Sequence, residues 1–116
     1  MVFFVINQVS GNMDSLKYNV DFRRAYHRGK CVVCPLFAMY INKTRGSTVR
    51  LGVTVSKKYG NAVKRNRARR IIKEAVRSVR PIMPQRGYDI VIVARTRLKS
   101  ARMQDVSRAL ESVFAK

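Results

Sequence analysis

Apolar residues recur at three- and four-residue intervals along residues 61–80, a spacing that places them on one face of a helix. This apolar face consists of Ala68, Ile71, Ile72, Ala75, Val76 and Val79. At about 100° per residue, the opposite face consists of Asn66, Arg70, Lys73 and Arg77, flanked by Arg69 and Arg80. The pattern predicts a helix that packs on a core with one side and exposes a row of cations on the other.

The start of this helix departs from the pattern. Lys64 and Arg65 fall near the apolar arc, and they can stay solvated only if the first turn extends beyond the surface on which the helix packs. We therefore expect a free, cationic helix N-terminus, whose N–H groups also favour an anion.

Two segments alternate between apolar and polar positions, which predicts strands. Over residues 36–41, one face holds Phe37, Met39 and Ile41, and the other holds Leu36, Ala38 and Tyr40. Over residues 50–56, the predicted core face holds Leu51, Val53 and Val55, and the other holds Gly52, Thr54 and Ser56. A sheet face made of Ala, Tyr, Gly, Thr and Ser is too small and polar to be buried well, which leaves room for something flat and polar to lie across it.

The remaining segments complete an α-β-β-α-β-α order, which is a layered α+β sandwich. Residues 20–28 are predicted to form a helix with Asn19 as its N-cap and Gly29 just past its end. Arg80-Pro81 ends the basic helix, and residues 88–95 are a β-prone inner strand. Ser100 is predicted to cap the last helix, with its apolar stripe at Met103, Val106, Leu110, Val113 and Phe114.

The first residues differ from the rest of the chain, because residues 1–13 contain no charge. Met13 is a plausible alternative start. We expect residues 1–13 to be an N-terminal extension and residues 14–116 to form a single domain.

Charge narrows the class of partner. The chain has 25 Lys and Arg against 6 Asp and Glu, a net charge of +19 and a pI near 11.3. Residues 57–80 alone hold ten cations and one acid, Glu74. Such a balance indicates nucleic acid first and an anionic membrane surface second. With no apolar run of 18 residues and no signal peptide pattern, the expected compartment is the cytoplasm.

Cys31 and Cys34 form a C-x-x-C pair with three interpretations. A redox pair would favour a helix N-terminus, and a zinc site would need two further ligands, for which His27 is the only good candidate. Because the surrounding residues 31–41 look like a strand, we favour two small apolar residues with a structural role.

Aromatic and basic residues are interleaved in the first predicted helix. Phe22 and Tyr26 stand four residues apart on one face, among Arg23, Arg24, Arg28 and Lys30. Such aromatics are commonly core residues, yet the mixture is also the pattern expected where bases stack beside phosphate contacts.

Catalytic constellations are absent from the sequence. The six acids, namely Asp14, Asp21, Glu74, Asp89, Asp105 and Glu111, show no spacing typical of a carboxylate metal cluster. One His cannot form a paired acid–base arrangement unless Lys substitutes, and no nucleophile-elbow, P-loop or zinc-protease motif occurs. We expect a polypeptide that binds and does not catalyse.

Residues 55–75, VSKKYGNAVKRNRARRIIKEA, resemble the signature of the bacterial ribonuclease P protein component. The shared features are a strand ending in S-K-K, then G-N-A-V-x-R-N-R, then R-R and a basic helix. Residues 16–115 follow the family's flanking pattern, at Asp21-Phe22, Tyr26, Gly29, Tyr40, Arg50–Ser56, Asp89 and Ala94-Arg95.

The resemblance implies an α–β sandwich of the ribosomal protein S5 domain 2-like type, with a left-handed β-α-β crossover against the usual right-handed rule. It also implies a catalytic RNA partner that removes the 5′ leader of precursor tRNA, with Mg²⁺ held mainly by that RNA and no protein partner required. The family's basic N-terminus is missing, since Lys17 is the only cation in residues 1–22.

Residue roles follow from the same resemblance. It implies contacts with the catalytic RNA at Lys57, Lys58, Lys64, Arg65, Asn66, Arg67, Arg69, Arg70 and Lys73. It implies a cleft for the leader lined by Phe22, Tyr26, Ala38, Tyr40 and Thr54.

Three other functions compete with this interpretation. A structural RNA-binding protein such as a ribosomal component fits the composition almost as well. A protein-only nuclease and a DNA-packaging protein also remain, although the G-N-A-V-x-R-N-R order gives no reason for the latter.

Overall fold

The computed structural model describes residues 13–16, 18–83 and 86–114 of the 116-residue chain. Its strands and helices follow the order β1 (Met13–Ser15), α1 (Asn19–Arg28), β2 (Lys30–Val33), β3 (Phe37–Lys43), β4 (Val49–Thr54), α2 (Ala62–Val79), β5 (Tyr88–Ala94) and α3 (Met103–Phe114). Short 3₁₀ turns occupy Lys57–Tyr59, Arg80–Ile82 and Thr96–Ser100. The predicted α-β-β-α-β-α order is confirmed, with the short strands β1 and β2 added.

All five strands form one mixed sheet in the order β1-β4-β5-β3-β2. β4 pairs in parallel with both β1 and β5, whereas β3 pairs antiparallel with β5 and β2. The α2 helix makes the crossover between the parallel neighbours β4 and β5, so the basic segment follows directly from the end of a central strand.

Helices cover both faces of the sheet. On one face α2 and α3 pack on the main core, which includes Leu51 from β4, Ile72 from α2 and Leu110 from α3. On the other face α1 buries Phe22 and Ala25 against Val91 of β5 and Leu16. The structure is therefore a three-layer sandwich with α1 alone on one side.

The helical periodicity correctly predicts α2. All six residues of the predicted apolar face are buried, and the Asn61 side chain caps the helix by accepting a 3.0 Å hydrogen bond from the Lys64 N–H. Arg80 was predicted to lie on the exposed cationic flank, and this prediction is wrong. Arg80 is 1% exposed and lies in the turn after Val79. Burial lowers the pKa of Arg80.

Other predicted boundaries need correction. Asn19 is the first residue of α1 and not its cap, since Tyr18 precedes the helix without a side-chain cap. Ser100 ends a 3₁₀ turn, and the Asp105 carboxylate instead accepts a 2.9 Å hydrogen bond from the Arg102 N–H before α3. Residues 31–41 form two strands, because the Cys34–Leu36 turn folds β2 back on β3.

The N-terminal extension falls largely outside the described residues, which begin at Met13. Met13 itself belongs to β1, where it pairs with Val49 of β4. Among the helices of the described ranges, none combines the length and apolarity that crossing a bilayer requires.

Candidate nucleic-acid interface

The outer side of α2 presents cations to solvent, as the helical pattern predicts. Asn66, Arg70 and Arg77 are exposed and Lys73 is half-buried. The first turn extends beyond the core, since Lys64 is exposed and Val63 has 76% of its surface accessible. We call Asn66, Arg70, Lys73 and Arg77 the cationic face of α2, and Lys64 adds charge at the exposed first turn.

Two further cations precede the helix. Lys57 and Lys58 are exposed in the 3₁₀ turn that links β4 to α2, and this turn is held by the buried Tyr59. The Lys99 ammonium lies 5.3 Å from the centre of the Tyr59 ring, which is cation–π distance. The turn therefore places Lys57 and Lys58 just before the N-terminus of α2.

Two of the arginines that the resemblance assigns to the RNA also donate to backbone carbonyls within the protein. The Arg67 guanidinium donates to the carbonyls of Lys99 (3.3 Å) and Ala101 (3.0 Å), which ties α2 to the segment before α3. Arg65 donates to the Gly60 carbonyl at 3.2 Å. Both side chains are half-buried, so they contribute packing contacts as well as positive charge.

Arg69 occupies the side of the cationic face. Its Nη2 donates to the Asn66 side-chain oxygen, and within the described ranges its buried Nη1 has no hydrogen-bond partner. Burial first, and then the positive charge of Arg65, lower the pKa of Arg69. Crowded cations at this point favour an added anion.

On the face of the sheet that α1 packs against, strand pairing places the side chains in rows. Ala38 on β3 lies opposite Val93 on β5, and Val93 lies opposite Thr54 on β4. Tyr40, Val91 and Gly52 form the next row in the same way. Thr54 is the last residue of β4, so the first row lies at the end of the sheet from which the chain continues to Lys57 and Lys58.

The α1 helix lies across the second row. At β4, an added Cβ on Gly52 would stand 2.5 Å from Cε1 of Phe22, so the absence of a side chain at Gly52 makes room for that ring. At β3, a Cβ on Gly29 would stand 3.1 Å from the Ile41 carbonyl oxygen. Helix and sheet therefore approach closely over the second row, and the first row lies beside α1.

Tyr26 and Tyr40 mark the boundary between α1 and the first row. Their ring centres are 4.9 Å apart at an interplanar angle of 80°, an edge-to-face contact. Both rings are half-buried, as is Ala38. We call the strip formed by Ala38, Val93 and Thr54, with Tyr26 and Tyr40 alongside, the trough.

The structure corrects two expectations for this face. Phe22 is 0% exposed beneath α1, so the prediction that its ring is available to stack on a base is wrong. Thr54 is 7% exposed and offers little surface. The sheet face is thus partly filled by α1, and the remaining accessible aromatic rings belong to Tyr26 and Tyr40.

The C-x-x-C pair is divided between the two faces of the sheet. Cys31 is exposed and lies opposite Tyr40, and contact with its thiol is the largest cause that raises the pKa of Tyr40, ahead of burial. Cys34 instead packs against the main core below. Both thiols are free, and the structural interpretation is the one that this geometry favours.

An ion-pair network under α1 is the feature that sequence reasoning missed. Arg50 on β4 bonds to Asp89 on β5 and to Asp21 on α1, and Arg24 also contacts Asp21 at 3.4 Å. The hydrogen bond to Asp89 is the largest cause that raises the pKa of Arg50. The presence of the charged Asp89 within the otherwise apolar strand Tyr88–Ala94 could have indicated a buried ion pair.

Comparison with known proteins places the chain among its relatives. The family model described as Ribonuclease P matches residues 11–116. The ribonuclease P protein component of Clostridioides difficile is 40% identical over 98 residues, covering 84% of this chain and 86% of the relative. That of Clostridium botulinum strain Langeland is 39% identical over 103 residues, covering 89% and 93%.

Solved structures give the same result. The Staphylococcus aureus RNase P protein superposes with a TM-score of 0.76 at 33% identity, covering 87% of this chain and 92% of that one. The Thermotoga maritima RNase P protein also gives 0.76, at 27% identity, covering 87% and 94%.

Proposed function

This chain belongs to the ribonuclease P protein component family, and from that premise we propose that it is the RNA-binding subunit that helps a catalytic RNA remove the 5′ leader of precursor tRNA. It acts in the cytoplasm and requires no protein partner. The observation that carries the proposal is the placement of the cationic face of α2 beside the trough edged by tyrosines.

The cationic face of α2, with Lys57 and Lys58, contacts the catalytic RNA. The α2 helix carries seven Lys and Arg against one acid, the exposed Glu74, and Arg65 and Arg69 add charge at the side of the face. A folded RNA brings the phosphates that relieve this repulsion, and each neutralised phosphate releases condensed counterions. Binding of the catalytic RNA should therefore weaken steeply as salt rises.

The trough receives the single-stranded leader. Its half-exposed Tyr26 and Tyr40 rings offer edges and faces for stacking, and the small Ala38 leaves space for a base above the sheet. Stacking accepts every base, so the preference for leader sequence is weak. Since the trough ends near Lys57 and Lys58, the leader would pass from it toward the catalytic RNA.

We assign Mg²⁺ binding mainly to the catalytic RNA and not to this chain. The described residues contain no group of three or more His, Cys, Asp or Glu side chains close enough to hold a metal ion. Asp21 and Asp89 accept hydrogen bonds from Arg50, while Glu74, Asp105 and Glu111 are exposed on α2 and α3. The protein contributes charge that reduces repulsion between the substrate and the catalytic RNA.

The first test compares two exposed helical arginines. Arg70→Gln removes a charge from the cationic face of α2, whereas Arg108→Gln removes one from α3. We expect Arg70→Gln to reduce the salt slope of binding to the catalytic RNA by ~0.7–0.9 and to slow holoenzyme cleavage at low Mg²⁺. Arg108→Gln should leave both unchanged, and identical behaviour of the two variants would contradict the proposal.

The second test concerns the trough. Tyr26→Ala removes a stacking ring, while Tyr26→Phe keeps it. We expect Tyr26→Ala to weaken holoenzyme binding of precursor tRNA by roughly 1–3 kcal/mol and to leave binding of mature tRNA, which lacks the leader, unaltered. Equal losses for precursor and mature tRNA would show that the trough does not hold the leader.

A further inference from the structure

The side of α1 that faces away from the sheet carries its own row of basic residues. Arg23, Arg24, His27 and Arg28 follow helical spacing, and all four are exposed. The buried side of the helix holds Asp21, Phe22 and Ala25. Like α2, the α1 helix therefore has one side that packs on the sheet and one side that is basic. The two helices lie on opposite faces of the sheet.

This row continues into a depression between α1 and the turn that joins β3 to β4. The depression has a volume of about 490 Å³ and is lined by Arg24, Arg28, Asn42, Lys43, Thr44 and Arg45. A smaller hollow of about 360 Å³ along α1 shares Arg24 and Arg28 with it. We call Arg24, Arg28, Lys43 and Arg45 the α1 basic site.

Little negative charge offsets this site. Asp21 is the acid that contacts it, through Arg24, and it is buried and also bound to Arg50. Over the part of the chain that the structure describes, Arg28, Lys43 and Arg45 form no ion pair. Three cations around one hollow repel one another, and an anion in the hollow removes that repulsion.

The site lies on the other flank of α1 from the trough. Asn42 in its lining belongs to the sheet row that contains Asp89 and Arg50, whereas the trough follows the row of Ala38 and Thr54. α1 covers the row between them. RNA on α2, RNA in the trough and RNA at the α1 basic site would thus occupy three separate surfaces.

We propose that the α1 basic site binds the phosphodiester backbone of an RNA segment other than the one that lies in the trough. The depression is lined by arginine, lysine, asparagine and threonine and by no aromatic ring, so it holds phosphates and does not stack bases, and its binding is independent of sequence. The inference rests on the proposed function, because it takes RNA as the partner.

Two sources can supply this backbone. One is the leader beyond the trough, after it has crossed α1. The other is a part of the catalytic RNA that reaches this face of the protein. Both present the same phosphates, so the experiment must separate them by the RNA that is offered.

The test uses the holoenzyme with Arg28→Gln, Arg45→Gln and the double variant, leaving Arg24 intact because it contacts Asp21. Arg108→Gln, another exposed cation, is the matched control. The catalytic RNA is titrated with each protein before assembly, and the assembled holoenzyme is titrated with a precursor whose leader fills only the trough and with a precursor that has a long leader. We expect each single variant to reduce a salt slope by ~0.7–0.9 and the double variant by about twice that amount.

The pattern of losses identifies the source. A loss confined to the long-leader precursor assigns the site to the distal leader, and a loss with the catalytic RNA alone assigns it to that RNA. The proposal is overturned if the double variant matches Arg108→Gln on all three probes. Arg70→Gln in the same assay separates the two claims, since its failure to weaken binding would instead count against the proposed function.

Discussion

The Arg50 guanidinium donates two hydrogen bonds of 2.7 Å, from Nε and Nη2, to the two carboxylate oxygens of Asp89. The two residues lie opposite each other on the parallel strands β4 and β5. Nη1 and Nη2 of Arg50 also reach Asp21 on α1 at 3.4 Å. Arg50 therefore joins β4 to β5 through Asp89, and it joins both strands to α1, the helix that borders the trough, through Asp21.

Loss of one partner in this pair should be costly. Asp89 is 1% exposed, so Asp89→Asn leaves the Arg50 charge without its main partner in a largely buried site. We expect a fall in the free energy of unfolding of about 3 kcal/mol, measured by urea denaturation. Glu111→Gln, which alters an exposed acid on α3, serves as the control. Equal urea midpoints for both variants would show that the pair is not structural.

The close approach of α1 to the sheet can be tested at Gly52. A Cβ there would stand 2.5 and 2.6 Å from two carbons of the buried Phe22 ring, so Gly52→Ala must displace the ring or the helix. We expect a loss of about 1–3 kcal/mol of stability and weaker binding of a single-stranded leader oligonucleotide.

Gly46→Ala provides the control for that substitution. The nearest atom to its added Cβ is the Thr44 hydroxyl oxygen at 3.6 Å, an ordinary contact. If Gly46→Ala and Gly52→Ala behave alike in unfolding and in oligonucleotide binding, the packing of Phe22 on Gly52 does not position the trough.

Arg67 and Arg70 should separate stability from RNA binding. Arg67→Ala removes the bonds to the Lys99 and Ala101 carbonyls, so we expect it to lower both RNA affinity and the free energy of unfolding, the latter by about 1–2 kcal/mol. Arg70→Ala, at an exposed position, should lower affinity and change stability by less than about 0.5 kcal/mol. Thermal or urea unfolding beside an RNA titration measures both, and a destabilised Arg70→Ala protein would argue against this division.

The buried Tyr59 predicts a loss of stability at alkaline pH. Burial raises the pKa of Tyr59, although the Arg67 charge acts in the lowering direction. A raised pKa in the folded state means that the neutral phenol stabilises the fold fully below the unfolded value of about 10, and that this contribution is lost as pH rises through the folded pKa. Tyr59→Phe should therefore lose less stability than the wild type above about pH 10. Parallel unfolding profiles from pH 8 to 11 would contradict this.

Local features of the sequence were enough to predict α2. Its helical period and the proline after Arg80 both act within a few residues, so the buried and exposed sides could be assigned without tertiary information. The alternation in β3 and β4 likewise identified the residues that face the main core. These elements are the ones that position the cationic face of α2.

Long-range contacts could not be derived in the same way. Helical spacing places Phe22 and Tyr26 on one side of α1, but only the strand register brings Gly52 under Phe22 and Tyr40 beside Tyr26. The pairing of Arg50 with Asp89 joins residues 39 positions apart. Periodicity carries no information about either contact, so the sequence left open whether the Phe22 ring is buried in the core or lines the leader cleft.

The RNA that accompanies this protein in its native cells tests the central claim most directly. The protein should be purified without nuclease treatment, and the bound RNA should be sequenced. The account predicts one structured catalytic RNA together with precursor tRNAs that retain their 5′ leaders. Recovery of ribosomal RNA in stoichiometric amount, or of no RNA at all, would contradict it.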